Sequence, residues 1–145
     1  MLTTSVIRCL LIGAACGHFV TVPALALARR WSILDPTELR RLSPINARIV
    51  LVVMATIQGV LLASATTVLW AREDVLAGGR LACACAICLS LLWLTRLVVQ
   101  WRWYGPLLPG PYVRVLHRGL VALFAFMAVS YALTGWHAAQ HLLGG

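Results

Sequence analysis

Lysine is missing from this 145-residue chain, and acid is scarce: four Asp and Glu stand against twelve basic residues, all of them arginine. Only 11% of residues are charged while 61% are hydrophobic, and the mean hydropathy is +0.90. That leaves too little polar surface to coat a soluble globule of this size. The four acids, Asp35, Glu38, Glu73 and Asp74, all fall outside the long apolar runs. Proton-coupled cation export that depends on a carboxylate buried in the membrane is thereby excluded. Internal repeats and low-complexity segments are absent too, so residues 1–145 read as a single membrane domain.

What the chain does have is long uncharged stretches. Cys9 to Ala28 runs for 20 residues without Asp, Glu, Lys or Arg, Ile49 to Ala71 for 23, and Gly119 to Gly145 for 27. About 20 apolar residues cross the hydrocarbon as a helix. A further run, Leu81 to Thr95, is uncharged for only 15 residues and reaches spanning length by continuing through Arg96 to Val99. Arg96 then lies near an interface, where its long stem keeps the guanidinium among head groups. Arg8 before the first apolar run also suits a cleaved signal peptide, but no small-x-small site in a polar context follows, so the first helix is expected to be retained. The expected fold is an all-α integral membrane four-helix bundle with spans at about 6–28, 46–70, 79–99 and 118–139.

Arginine placement sets the expected orientation. Arg29, Arg30, Arg40, Arg41 and Arg48 belong to the first connection, and Arg96, Arg102, Arg114 and Arg118 to the third and its flanks, nine of the twelve. Arg8, Arg72 and Arg80 make up the rest. The positive-inside rule puts the first and third connections in the cytoplasm and both termini outside, in a bacterial inner membrane. The net charge of +8 then reads as topology and contact with the lipid bilayer. Nucleic acid is not an expected partner, because the arginines border apolar helices and form no continuous soluble patch.

The connections carry their own signals. Asp35-Pro36-Thr37-Glu38 supplies a capping carboxylate, a proline at the first helical position and a glutamate three residues after the cap, which predicts a short interfacial helix through about Leu42. Ser43-Pro44 repeats the start signal and opens the second span. The stretch from Gln100 through Trp101, Arg102, Trp103, Tyr104, Gly105 and Pro106 to Pro109-Gly110-Pro111-Tyr112 is too rich in Pro and Gly for helix. Its aromatic rings beside arginines suit a head-group anchor. Gly13 and Gly17 in the first span, and Ala55, Gly59 and Ala63 in the second, make small-xxx-small ridges for close helix contact, within the chain, with a membrane-protein partner or with a second copy through Gly13 and Gly17.

Three groups of residues are candidates for chemistry. His18 lies 11 residues before Arg29, about 16 Å from the cytoplasmic edge at 1.5 Å per residue, and so near mid-membrane. A side chain that can ionise at that depth is a candidate ligand, for haem, quinone or a proton, and its dull reading is packing. His137 and His141, four apart on one face at the outer end of the last span, suit one metal ion, although two ligands do not complete a site. His117, beside Arg118, reads as interfacial. Cys83, Cys85 and Cys88 open the third span, and Cys85 with Cys88 has the C-x-x-C spacing of a redox pair. Cysteine among alanines is equally an ordinary small apolar residue of a membrane helix.

The cysteine arrangement resembles that of the periplasmic disulfide-generating membrane oxidases and vitamin K epoxide reductase, which are also small four-helix bundles. Those families use a second pair in an aqueous loop; here the other cysteines, Cys9 and Cys16, lie in the first span. The layout of a glycine-rich first helix leading into Val22-Pro23-Ala24-Leu25, with Leu116-His117-Arg118 opening the fourth, resembles small bacterial membrane proteins grouped with anthrone oxygenase. Their Pro-Thr-Asn segment after the third helix is lacking, and no oxygenase role is carried over. The four-helix membrane protoporphyrinogen oxidases match in size and use histidine-ligated haem, but also a membrane lysine. The favoured reading is a non-catalytic accessory or assembly subunit, or a binder of apolar ligands. The alternative is a membrane oxidoreductase holding haem or quinone, with His18 as ligand and Cys85 and Cys88 as electron relay.

Overall fold

The structure is a computed structural model that describes residues 3–30, 44–104 and 111–143. Among these residues everything regular is helix, and no strand occurs. The elements are α1 (Thr4–Arg30), α2 (Pro44–Trp70), α3 (Arg72–Ala77), α4 (Arg80–Val99, prolonged by a π-helical turn Gln100–Tyr104) and α5 (Pro111–Leu143). Three of the helices carry stretches long and apolar enough to cross a membrane: Thr4–Thr21, Arg80–Arg102 and Arg114–Leu143. In α2 the stretch Ala55–Trp70 is a shorter apolar segment. The predicted interfacial helix from Asp35 to about Leu42 lies outside the described residues.

An apolar stretch that enters a membrane has to satisfy its backbone groups internally, and an α-helix does so. The hydroxyls conform to the same demand. Ser64, Thr66, Thr67 and Thr95 each donate back to the carbonyl four residues earlier, at 2.8–2.9 Å, so none of them presents a bare polar group on an exposed face. Large apolar side chains such as Val52, Ile57, Val60, Leu91, Val98 and Val129 are exposed, the reverse of a water-soluble bundle.

Two connections differ from the sequence reading. The helix does not stop at Gln100: residues 100–104 contain neither Pro nor Gly, so the chain continues helically with a π-helical turn, and the breakers begin only at Gly105-Pro106. Nor is Pro111 a breaker. It is the first residue of α5, the position where its missing N–H costs nothing and its fixed φ already suits a helix. The stretch expected as the last span accordingly belongs to a helix 33 residues long. The second connection also holds α3, a helix of six residues that the sequence reading did not anticipate.

The core lies where α5 packs along α4 and α1, with α2 leaning on α1. Ile7, Leu11, Ala14, Ala15 and His18 form one buried stripe on α1, spaced by three or four residues. Phe124, Met127, Ala128, Tyr131, Thr134 and Ala138 form the matching stripe on α5, and Ala86 and Trp93 face them from α4. Close approach depends on glycine. A Cβ at Gly17 would stand 2.9 Å from Met127 Sδ and one at Gly13 would stand 3.1 Å from Phe126, so both glycines of the first ridge serve α5 of the same chain. At Gly135 the equivalent neighbour is Ile87, at 3.3 Å. Around Gly59, by contrast, no atom of the described residues comes within 4 Å, and Ala55, Gly59 and Ala63 are exposed on α2.

Contacts between helix ends give the relative directions. Cys83 meets Gly135, Ser90 bonds to Ala128 and Gln100 reaches His117, so α4 and α5 run antiparallel. Arg8 pairs with Glu73 at 2.7 Å, and Gly78 packs against Ala138 and His141. The start of α1, the second connection and the end of α5 therefore share one end of the molecule.

Candidate functional site

The side chain with the most chemistry in the interior is His18, on the buried stripe of α1 between Ala14 and Thr21. It is fully enclosed. Its Nε2 lies 2.9 Å from the Tyr131 hydroxyl of α5, and its ring stands edge-on to Trp93 of α4 with centroids 5.0 Å apart. Trp93 in turn stacks at a tilt on Phe124, with centroids 5.1 Å apart, and the Arg96 guanidinium carbon sits 5.9 Å from the centre of that Phe124 ring. A cation at that distance from an aromatic face is attracted by the ring quadrupole. One histidine thus joins three helices through a hydrogen bond to Tyr131 and ring contacts with Trp93 and Tyr131.

A second polar link ties in α2. Thr21 Oγ1 donates to the His18 carbonyl at 2.6 Å, and Gln58 Nε2 of α2 donates to Thr21 Oγ1 at 2.9 Å. All four long helices are joined by this chain of contacts from Gln58 to Phe124. It is not fully closed, however. Among the described residues, His18 Nδ1, Trp93 Nε1 and Ser130 Oγ are buried without a hydrogen-bond partner. In a low-dielectric interior each such group costs about 1–3 kcal/mol, so each is a place where a water molecule or a ligand atom is favoured.

The imidazole has two states. With the proton on Nδ1, the Tyr131 hydroxyl donates to bare Nε2; with the proton on Nε2, the hydroxyl accepts. The Leu61 backbone of α2 also approaches the ring, short of full hydrogen-bond geometry, so in both states Nδ1 has no complete partner among the described residues. Any ligand of His18 would have to meet that nitrogen, because Nε2 is engaged.

The other sequence candidates occupy separate places. His137 and His141 stand together at the far end of α5, Nε2 to Nε2 at 3.3 Å with rings nearly perpendicular. Among the described residues no group of three or more His, Cys, Asp or Glu is gathered into a metal site. His117 is at the opposite end, where Gln100 Nε2 approaches its Nδ1 at 3.1 Å. The described cysteines are free: Cys85 and Cys88 are exposed on the outside of α4, and Cys83 turns inward with its thiol 3.5 Å from the Gly135 carbonyl. The structure brings neither Cys85 nor Cys88 to His18.

Gln58, Trp93, Ser130 and Tyr131 were not singled out in the sequence. Gln58 and Ser130 could have been found as polar groups within apolar runs, since such groups need partners there. Trp93 and Tyr131 carried no separate signal, being ordinary apolar-bodied residues whose partners become evident only when helices pack. No protein family, curated protein or solved structure matches this chain.

Proposed function

We propose that the chain is a non-catalytic integral membrane protein, an accessory or assembly subunit or a binder of apolar ligands. In this reading it is a four-helix bundle of the bacterial inner membrane, with α2 as the remaining span and both termini outside. The 27 helical residues of α2 and the uncharged run from Ile49 to Ala71 support the fourth crossing. The shared end of Arg8, Glu73, Gly78 and His141 supports an even number of crossings.

The observation that carries the functional reading is the state of His18. At the depth where an exposed imidazole would signal chemistry, this one is enclosed by Tyr131 and Trp93 and serves to pin helices together. Buried polar networks of this kind specify one packing arrangement. Purification of the full chain in mild detergent is expected to recover a partner protein or bound lipid in fixed proportion. Recovery of bare, solitary protein under all mild conditions would reject the proposal.

A second reading, a membrane oxidoreductase holding haem or quinone, is favoured by one observation, the unpartnered Nδ1 of His18. It requires Trp93 or Tyr131 to yield space, with exposed Cys85 and Cys88 as an electron relay to another protein. A visible spectrum without a Soret band, no extractable quinone and no thiol that changes state with redox potential would eliminate it.

A further inference from the structure

The geometry points to a divalent transition-metal clamp formed by His137 and His141, at the end of α5 away from His18 and independent of the function proposed above. Their positions four apart put both rings on one face of the helix. Nitrogens bound to a common zinc ion at about 2.0–2.1 Å and a tetrahedral angle lie about 3.3–3.4 Å apart. Here the two Nε2 atoms are 3.3 Å apart. The separation of the two nitrogens matches the bite of such an ion.

Local packing holds this arrangement. Gly78, at φ +75°, lies against the same turn of α5, where a Cβ would be 2.9 Å from His141 Cβ and 3.2 Å from the Ala138 carbonyl. The connection after α3 thus presses on the backbone that carries His141 while leaving its ring exposed. His137 is half-buried, so its ring has fewer alternative positions. Rotamers limited before binding reduce the entropy lost on binding.

Imidazole selects zinc, copper or nickel over magnesium or calcium, which take oxygen ligands. Two protein ligands leave about two coordination positions of a tetrahedral ion for water or an exchangeable ligand. The site therefore fits an open ion that is exchanged or presented, and not a closed structural zinc.

The test uses the full chain, without an affinity tag, in mild detergent, titrated with Zn2+ in the presence of excess Mg2+. Zinc binding is expected, with at most one ion per chain. His137→Ala and His141→Ala are each expected to weaken it by more than the roughly 10–100-fold that follows loss of a supporting outer residue. His117→Ala at the other end is expected to leave it unchanged. Pulsed EPR of the Cu2+-loaded protein supplies a second readout, with imidazole nitrogen from two rings expected. Binding that survives both substitutions, absence of zinc binding over magnesium, or a single coordinated ring would overturn the proposal and leave the 3.3 Å contact as a hydrogen bond between neutral imidazoles.

Discussion

The His18–Tyr131 hydrogen bond is where one atom has the widest effect on the interior. Tyr131→Phe removes the hydroxyl and leaves Nε2 buried without a partner, for an expected loss of about 1–2 kcal/mol. His18→Ala also removes a ring in contact with Trp93, and its expected cost is larger, about 2–4 kcal/mol. Reversible unfolding in mixed micelles measures both. The double variant should lose less than the two single losses combined, because each single change orphans the other partner. Strict additivity would mean that the 2.9 Å contact contributes nothing. Gly78 offers a second test at this scale. With φ at +75° and His141 Cβ in the way, Gly78→Ala is expected to cost on the order of 1–3 kcal/mol, read as a lower thermal midpoint.

At the scale of elements, the two small-residue ridges have different fates. The α1 ridge is filled by α5, whereas the Ala55, Gly59 and Ala63 ridge of α2 is open among the described residues. Gly17→Leu should overpack the α1–α5 contact and destabilise by about 1–3 kcal/mol, while Gly59→Leu should be neutral or slightly stabilising, since a helix interior prefers leucine. Thermal denaturation in detergent compares them directly. Equal effects of the two substitutions would contradict this packing. A partner or second copy docking through Gly13 and Gly17 would have to displace Phe126 and Met127, which already occupy that face. The π-helical turn after α4 forms because residues 100–104 contain neither Gly nor Pro; the breakers that follow, from Gly105 on, give the whole segment a non-helical composition without altering these five residues.

For the whole molecule, the ion pair between Arg8 and Glu73 and the contact of Gly78 with His141 put three segments at one end. Reporter fusions at the N-terminus, in the connection between α2 and α4 and at the C-terminus are expected to give the same side. A fusion in the stretch 31–43 is expected to give the other. Opposite sides for the N-terminus and the second connection would break the proposed fold outright. Exposed pairs of this kind contribute little energy, about 0–1 kcal/mol, so Glu73→Gln should change neither the topology nor the stability noticeably.

Composition and the spacing of charges sufficed to establish an apolar, helical chain, because a backbone out of water has to satisfy its own hydrogen bonds wherever its neighbours lie. They also marked His18, His137 and His141, since titratable side chains in or beside apolar helices stand out one residue at a time. Tertiary structure alone decided which helix faces which: that the first glycine ridge serves α5, that Tyr131 and Trp93 enclose His18 and that Cys85 and Cys88 face outward. Helices that are apolar on every side carry no stripe to say which face turns inward. That choice rests on shape and on a few buried polar contacts between residues up to 113 positions apart, which no local pattern encodes.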